Sequence, residues 1–113
     1  MNIIIVGAGK VGYTLAKYLS IDGDNIIVID KKDIALEHIN NNLDVMCIKG
    51  NCTSLKVLDE AGIREADLLI SVTDSDELNM LCSLAAKKLG VKHTVARVRT
   101  PDYDEDITLL TEA

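Results

Sequence analysis

The sequence predicts an α/β domain built on a Rossmann-like, doubly wound parallel sheet with strand order 3-2-1-4-5. Three observations carry this. An apolar run, Ile3-Ile4-Ile5-Val6, leads straight into Gly7-Ala8-Gly9-Lys10-Val11-Gly12, which fits G-x-G-x-x-G. A helical pattern with Leu15, Ala16 and Leu19 on one face follows, then a second apolar run, Ile26-Ile27-Val28-Ile29, that ends in Asp30. Beyond it, short apolar runs keep alternating with helical stretches, which means parallel strands covered on both faces.

A glycine pattern alone is weak evidence. Between a strand and a helix, with an acid about 20 residues on at the tip of the next strand, it is strong. Gly7 allows the tight turn out of the strand, Gly9 leaves room for a pyrophosphate to approach the backbone, and Gly12 lets the helix lie close to the sheet. The phosphates then face unpaired N–H groups at a helix N-terminus, where the macrodipole favours negative charge. Asp30 is placed to accept hydrogen bonds from the ribose hydroxyls. The plainer alternative is a glycine-rich turn that binds nothing. Strand, helix and acid all falling where the mechanism needs them weighs against it.

The elements follow in order. Strand one is Asn2 to Val6, and its helix runs from Lys10 to Ser20. Asp22-Gly23-Asp24-Asn25 turns into strand two, Ile26 to Asp30. The second helix starts near Asp33, with Leu36, Ile39 and Leu43 inward, and frays at Asn40-Asn41-Asn42. Strand three is Val45 to Lys49, followed by the loop Gly50-Asn51-Cys52-Thr53. The third helix, Ser54 to Ala61, is capped by Thr53, stopped by Gly62, and has Leu55, Leu58 and Ala61 as its inner face. Strand four is Leu68 to Thr73. Asp74 reads as the N-cap of the fourth helix, with Glu77 completing a capping box and Gly90 ending it. Leu78, Leu81 and Ala85 fall on one face of this helix, which suffices for the sheet, and Met80 and Leu84 are offset from it as a surplus that suits another subunit. Strand five is Thr94 to Val98. Thr100-Pro101 reads as the start of a last helix that continues to Ala113, so no sixth strand is expected and the chain reads as a shortened dinucleotide fold. Strand five is then an exposed edge, which argues for self-association.

Ligands of such sheets bind beyond the carboxyl ends of the strands, where the strand order reverses. Here that is the gap between strands one and four. The residues it gathers are Gly7, Ala8, Gly9, Lys10, Val11, Gly12, Asp30, Lys31, Asn51, Cys52, Thr73 and Asp74, with Arg97 on the same edge. An arginine in an otherwise apolar strand needs a partner, either Asp74 or a ligand phosphate. Asn79, on the first turns of the fourth helix, lies within reach of the ligand or in solvent.

With 113 residues the chain is long enough for one domain with a real core. There is no Phe or Trp, so the core is left to Ile, Leu, Val and Ala. A net charge of −6 argues against nucleic acid or an anionic membrane surface as a direct partner. Cys47, Cys52 and Cys82 lack metal spacing, and their odd number suits a reducing cytosol. Buried thiols are the preferred reading, except for Cys52 in its loop at the site. No segment reaches transmembrane length and no signal peptide opens the chain, so work at a membrane requires a partner to hold it there.

Other constellations are weaker. Tyr13-x-x-x-Lys17 has the spacing of the short-chain dehydrogenase pair, but it sits on the phosphate-loop helix and reads as a solvated face. Lys31 and Lys32 suit a 2′-phosphate, yet Asp30 before them would repel it, which favours NAD over NADP. Asp74-Ser75-Asp76-Glu77 lacks the glycine and spacing of a calcium loop, and helix capping explains it. His38 and His93 both lie away from the switch point, so neither is a good acid–base candidate.

The sequence resembles the N-terminal nucleotide-binding KTN/RCK domains of TrkA-type potassium uptake regulators. Four stretches carry the resemblance: Ile3 to Gly12; Ile29-Asp30-Lys31; Gly50-Asn51-Cys52-Thr53 with Leu55, Leu58, Ala61-Gly62-Ile63 and Ala66-Asp67; and Thr73-Asp74 with Asp76-Glu77-x-Asn79 and Ala96-Arg97. The family usually has Gly-Asp where this chain has Gly50-Asn51. It also continues into a second, C-terminal ligand-binding subdomain that is absent from this chain, leaving residues 1–113 as a single NAD-binding domain. The resemblance implies a cytoplasmic regulatory subunit, not an enzyme, that binds NAD(H), with ATP or ADP as further ligands of the same site. Its partner would be a potassium-transporting membrane protein that holds it at the cytoplasmic face of the membrane, and it would assemble as a homodimer or higher homo-oligomer. The alternative reading is the cofactor domain of an NAD-dependent oxidoreductase. That reading requires an acid–base group facing the nicotinamide, and the sequence offers none.

Overall fold

The computed structural model describes residues 1–99 and the backbone of 109–111. Strands β1 (Asn2–Val6), β2 (Asn25–Asp30), β3 (Met46–Lys49), β4 (Leu68–Ser71) and β5 (His93–Arg97) alternate with helices α1 (Lys10–Ile21), α2 (Asp33–Asn42), α3 (Leu55–Glu60) and α4 (Asp76–Lys88). A 3₁₀ turn, Ile63–Glu65, lies between α3 and β4, and β6 (Leu109–Thr111) follows β5. The sheet order is β3-β2-β1-β4-β5-β6. The first five strands are parallel, as the sequence predicts, and reverse order between β1 and β4.

β6 is a correction. It runs antiparallel to β5 and sets Ala96 opposite Leu110. The helix read from Thr100 to Ala113 therefore does not reach the end of the chain, and its predicted start at Thr100-Pro101 lies outside the described residues. Without β6, the outer edge of β5 would leave its N–H and C=O groups without strand partners. A short apolar stretch that pairs there satisfies them, and this outweighs a local helical pattern.

The strands alternate between two cores. Ile4 and Val6 of β1 face the core beneath α3 and α4, with Leu58, Leu69 and Cys82. Ile3 and Ile5 face the other, beneath α1 and α2, with Ala16, Val28 and Ile39. Each fully buried isoleucine contributes about 1.5–3 kcal/mol relative to leaving it exposed. Both cores form because a parallel sheet is covered on both sides.

Several helix details differ from expectation. Ser54, not Thr53, caps α3, its hydroxyl accepting from the Val57 amide. Ser75, not Asp74, caps α4, its hydroxyl accepting from the Leu78 amide at 3.1 Å. The serine one residue later wins in each case because Thr53 donates its hydroxyl to Asn51 and Asp74 projects into solvent. Leu55 and Leu81 are exposed, although the helical pattern placed both inward. The inward face of α4 instead carries Asn79, Cys82, Ser83 and Ala86, whose small or hydrogen-bonded side chains pack close to the sheet. Tyr13 is half-buried and stacks on the His38 ring at 4.8 Å, so only Lys17 of that pair is solvated. The α4 terminus is as predicted: Gly90, at φ +102°, donates to Lys87 while Val91 donates to Ala86, a Schellman closure.

Candidate functional site

The backbone just past each central strand stays tied to its neighbour. The Gly7 amide donates to the Ile29 carbonyl and the Val72 amide to the Val6 carbonyl, each at 2.8 Å, and Gly50 donates to Asp30 at 3.0 Å. Three loops are thereby held around one cleft of about 310 Å³ at the carboxyl ends of the strands. Its lining includes Gly7, Gly9, Asp30, Lys31, Asn51, Cys52, Thr73 and Asp74. Lys32, Ser75 and Leu78 also line it.

The glycines are needed for different reasons. Gly7 adopts φ +110°, and a Cβ there would meet the Val72 carbonyl group at 3.0 Å. A Cβ on Gly12 would overlap the Gly7 carbonyl oxygen, so this glycine is what lets α1 start against the loop. Gly9 is the opposite case. It has no heavy atom within 4 Å of an added Cβ, and so faces open space. It is also the N-cap of α1, where it provides no side-chain bond to the first-turn amides. Lys10 and Val11 are exposed in that turn. An open glycine before uncapped amides fits the diphosphate of a nucleotide.

Asp30 does more than end β2. One carboxylate oxygen accepts from the Ala8 amide at 2.7 Å and the other from the Lys32 amide at 2.8 Å. Ala8 is buried and holds the glycine loop through this bond. Each oxygen retains a second lone pair for a ribose hydroxyl. Across the cleft, the Asn51 carboxamide oxygen accepts from the Thr53 amide and hydroxyl, closing the β3 loop on itself.

The fourth wall is organised by Asn79, for which the sequence allows either the ligand or solvent. It is fully buried. Its oxygen accepts from the Thr73 amide at 2.8 Å, the Thr73 hydroxyl at 2.6 Å and the Ser71 hydroxyl at 3.1 Å. Its amide donates to the Thr73 carbonyl at 3.1 Å and the Arg97 carbonyl at 3.0 Å. The cleft loop after β4 is thus locked to the end of β5. The available signal was an amide placed among small residues on the inward face of α4.

Arg97 is half-buried and does not line the cleft. The arginine beside Asp74 is Arg99, whose guanidinium donates to the Asp74 carbonyl at 2.7 Å and stands 4.0 Å from its carboxylate. The Arg99 amide donates to buried Asp76 at 3.1 Å. Arg97 and Arg99 lie two residues apart on one strand path, and only the fold separates their roles.

The cysteines also separate. Cys52 is 4% exposed in the cleft wall and Cys82 is fully buried on α4. The Cys82 thiol hydrogen-bonds the Cys52 sulfur, which together with the Cys52 backbone amide and the Lys31 charge holds the Cys52 thiol below its ordinary range, against burial and Asp30. The same bond and burial push Cys82 up. Burial raises Cys47. Among the described residues no group of His, Cys, Asp and Glu is arranged to hold a metal ion. His38 is on α2 and His93 opens β5 at the opposite end of the sheet from the cleft.

Comparison with known proteins agrees with this architecture. The TrkA-N domain family model matches residues 3–112. A "Trk system potassium uptake protein TrkA homolog" of Archaeoglobus fulgidus is 46% identical over 103 residues, covering 91% of this chain and 23% of that protein. The homolog of Methanothermobacter thermautotrophicus is 35% identical over 105 residues, covering 93% of this chain and 49% of that protein. TrkA of Vibrio alginolyticus is 38% identical over 104 residues, with coverage of 91% and 23%. The chain therefore spans from 23% to 49% of these relatives' length. Among solved structures, the NAD(P)-binding domain of an exopolyphosphatase-related protein from Archaeoglobus fulgidus superposes with a TM-score of 0.78 at 17% identity, covering 93% of this chain and 78% of that one. The Shewanella denitrificans Kef CTD in its AMP-bound form gives 0.64 at 23% identity, covering 76% and 51%. These two share the fold. The family match over nearly the whole chain places this protein in the TrkA-N domain family.

Proposed function

We propose that this chain is a nucleotide-binding regulatory domain that controls a potassium-transporting membrane protein. The observation that carries the reading is the convergence on one cleft of Gly9, the uncapped amides of α1 and the Asp30 carboxylate. In this reading NAD(H) binds with its phosphates on the glycine loop and its adenosine ribose on Asp30. ATP or ADP take the same place. Lys10, Val11 and Gly12 contribute amides, and Lys31, Asn51, Cys52, Thr73 and Asp74 form the walls. Arg97 acts on the ligand only through the end of β5. The names of the relatives support potassium uptake as the process, and the AMP-bound Kef structure supports a nucleotide in this fold.

The nucleotide serves as a signal and is not consumed. A ligand regulates only by binding two shapes of the protein with different affinity. The β3 loop and the β4 loop lie on different sides of the cleft, so ligand chemistry can set how they close. The domain then works as a homodimer or higher homo-oligomer at the cytoplasmic face, held there by its partner. No helix among the described residues is long and apolar enough to cross a membrane. The oxidoreductase alternative is not favoured, since the matched relatives are named as potassium uptake proteins.

The test is potassium flux through a reconstituted transporter of the Trk type, with and without this protein, titrated with NAD, NADH, ATP and ADP. Flux that responds to nucleotide only when the protein is present supports the reading. Steady NADH formation from NAD with any small alcohol or hydroxy acid defeats it.

A further inference from the structure

The loop after β3 spends its acceptors on itself and has only donors left. Asn51 lines the cleft and is exposed. Its carboxamide oxygen accepts from the Thr53 amide at 3.0 Å and the Thr53 hydroxyl at 2.8 Å, which fills both lone pairs. The Thr53 N–H can only donate, so it fixes which end of the carboxamide is oxygen. The Asn51 main-chain carbonyl accepts from the Ser54 amide at 3.0 Å. The Asn51 NH2 group and main-chain N–H have no partner among the described residues. Whichever of its atoms meets a ligand, the side chain can only donate.

The surroundings agree. Lys31 and Lys32 line the same end of the cleft, and an ammonium has no lone pair to offer. The Lys32 carbonyl is taken by the Leu36 amide and the Asp30 carbonyl by the Gly50 amide. The side-chain acceptor of this end is the Asp30 carboxylate, which the ribose hydroxyls occupy in the nucleotide reading. With the diphosphate at the start of α1, beyond β1, and the ribose at the tip of β2, the base falls beyond the next strand outward, β3. Asn51 stands there.

We infer that Asn51 selects the base, and that the cleft favours a 6-oxopurine over a 6-aminopurine. Base selection rests on the nucleotide reading of the cleft. A 6-oxopurine sets two acceptors, O6 and N7, side by side, and these match neighbouring donors. Adenine has the same N7 but an amino donor in place of O6. Against Asn51 that amino group meets N–H groups and gains no acceptor for the water it gives up, which costs affinity. Adenine nucleotides still bind through phosphate and ribose.

The test is calorimetric titration of the unmodified protein with NAD and with nicotinamide hypoxanthine dinucleotide, which replaces adenine by the 6-oxopurine and keeps the rest. The hypoxanthine dinucleotide should bind about tenfold tighter, the size of one well-made pair of base contacts. Inosine diphosphate and ADP should show the same order, because the nicotinamide half takes no part. Asn51→Asp puts an acceptor where the NH2 group stands and keeps an oxygen for Thr53, so it should reverse the order. The ratio of the two affinities is the readout, since the added charge weakens both. Asn51→Ala removes the side-chain donors without adding charge and should bring the two affinities together. NAD binding as tightly as the hypoxanthine dinucleotide, or more tightly, overturns the proposal and leaves the nucleotide reading intact. A hypoxanthine preference that both variants leave unchanged overturns the role of Asn51. If neither dinucleotide and neither diphosphate binds, the nucleotide reading itself fails and base selection falls with it.

Discussion

The Asp30 carboxylate holds the Ala8 amide at 2.7 Å, so the acid at the tip of β2 is built into the glycine loop as well as facing the cleft. One side chain thus couples ribose recognition to the shape of the phosphate site. Replacing it should have two separable effects.

Asp30→Ala should destabilise the fold by about 1–3 kcal/mol, since the Ala8 and Lys32 amides lose a charged acceptor. It should also weaken NAD binding and relax the preference for NAD over NADP, because the charge that repels a 2′-phosphate is gone. Urea denaturation measures the first effect, and calorimetry with both dinucleotides the second. Tighter NADP than NAD binding by the unmodified protein would contradict the preference and make Lys31 and Lys32 ligands.

Gly9→Val should abolish the nucleotide response while the fold survives, because the added side chain meets no protein atom and occupies the space left for phosphate. Gly7→Ala should instead damage the fold, through both its positive φ and the Val72 backbone. Circular dichroism melts together with nucleotide titration distinguish the two. A Gly9→Val protein that binds NAD normally would remove the phosphates from this loop.

Asn79→Ala should cost about 3 kcal/mol, because it empties a fully buried site and strands the half-buried Thr73 amide and the Thr73 and Arg97 carbonyls. The β4 loop should then exchange its amide hydrogens faster than the rest of the sheet. A loss under about 0.5 kcal/mol would match a surface residue and contradict the locking role.

Self-association now has a different physical basis. β6 covers β5, so an open sheet edge no longer argues for it. Leu81 and Leu84 remain, 53% and 57% exposed on the outer side of α4. Leu81→Glu with Leu84→Glu should shift sedimentation toward monomer with little change in melting temperature. An unmodified chain that stays monomeric at high concentration would count against association at this length.

The pH dependence of thiol reactivity has a definite sign. A lowered Cys52 thiol keeps more thiolate at a given pH, so its alkylation should reach half-maximal rate at lower pH than that of Cys47, which burial raises. Lys31→Glu should move the Cys52 profile upward. Coincident profiles for the two cysteines would contradict the assignment of charges around Cys52.

The sheet was legible because its cause is local: β-branched runs such as Ile26 to Ile29, separated by glycine turns, fit a fully covered parallel sheet. The loop glycines and Asp30 were legible because a motif fixes both residue type and spacing. What escaped depends on contacts distant in sequence. Residues 109–111 become a strand because β5 offers them an edge. Arg99 rather than Arg97 reaches Asp74 because β4 and β5 bring residues 25 apart together. Asn79 looked like a surface amide until the small inward face of α4 carried it onto the ends of β4 and β5. Leu81 looked like core because helical periodicity cannot tell which of two adjacent faces meets the sheet.

The most direct measurement is calorimetric titration of NAD into the purified protein beside its Gly9→Val variant. Saturable binding to the unmodified chain, lost in a variant that remains folded, is the predicted result. Absence of binding heat with NAD, NADH, ATP and ADP alike, confirmed by an unchanged melting temperature at saturating nucleotide, would contradict a nucleotide-binding domain.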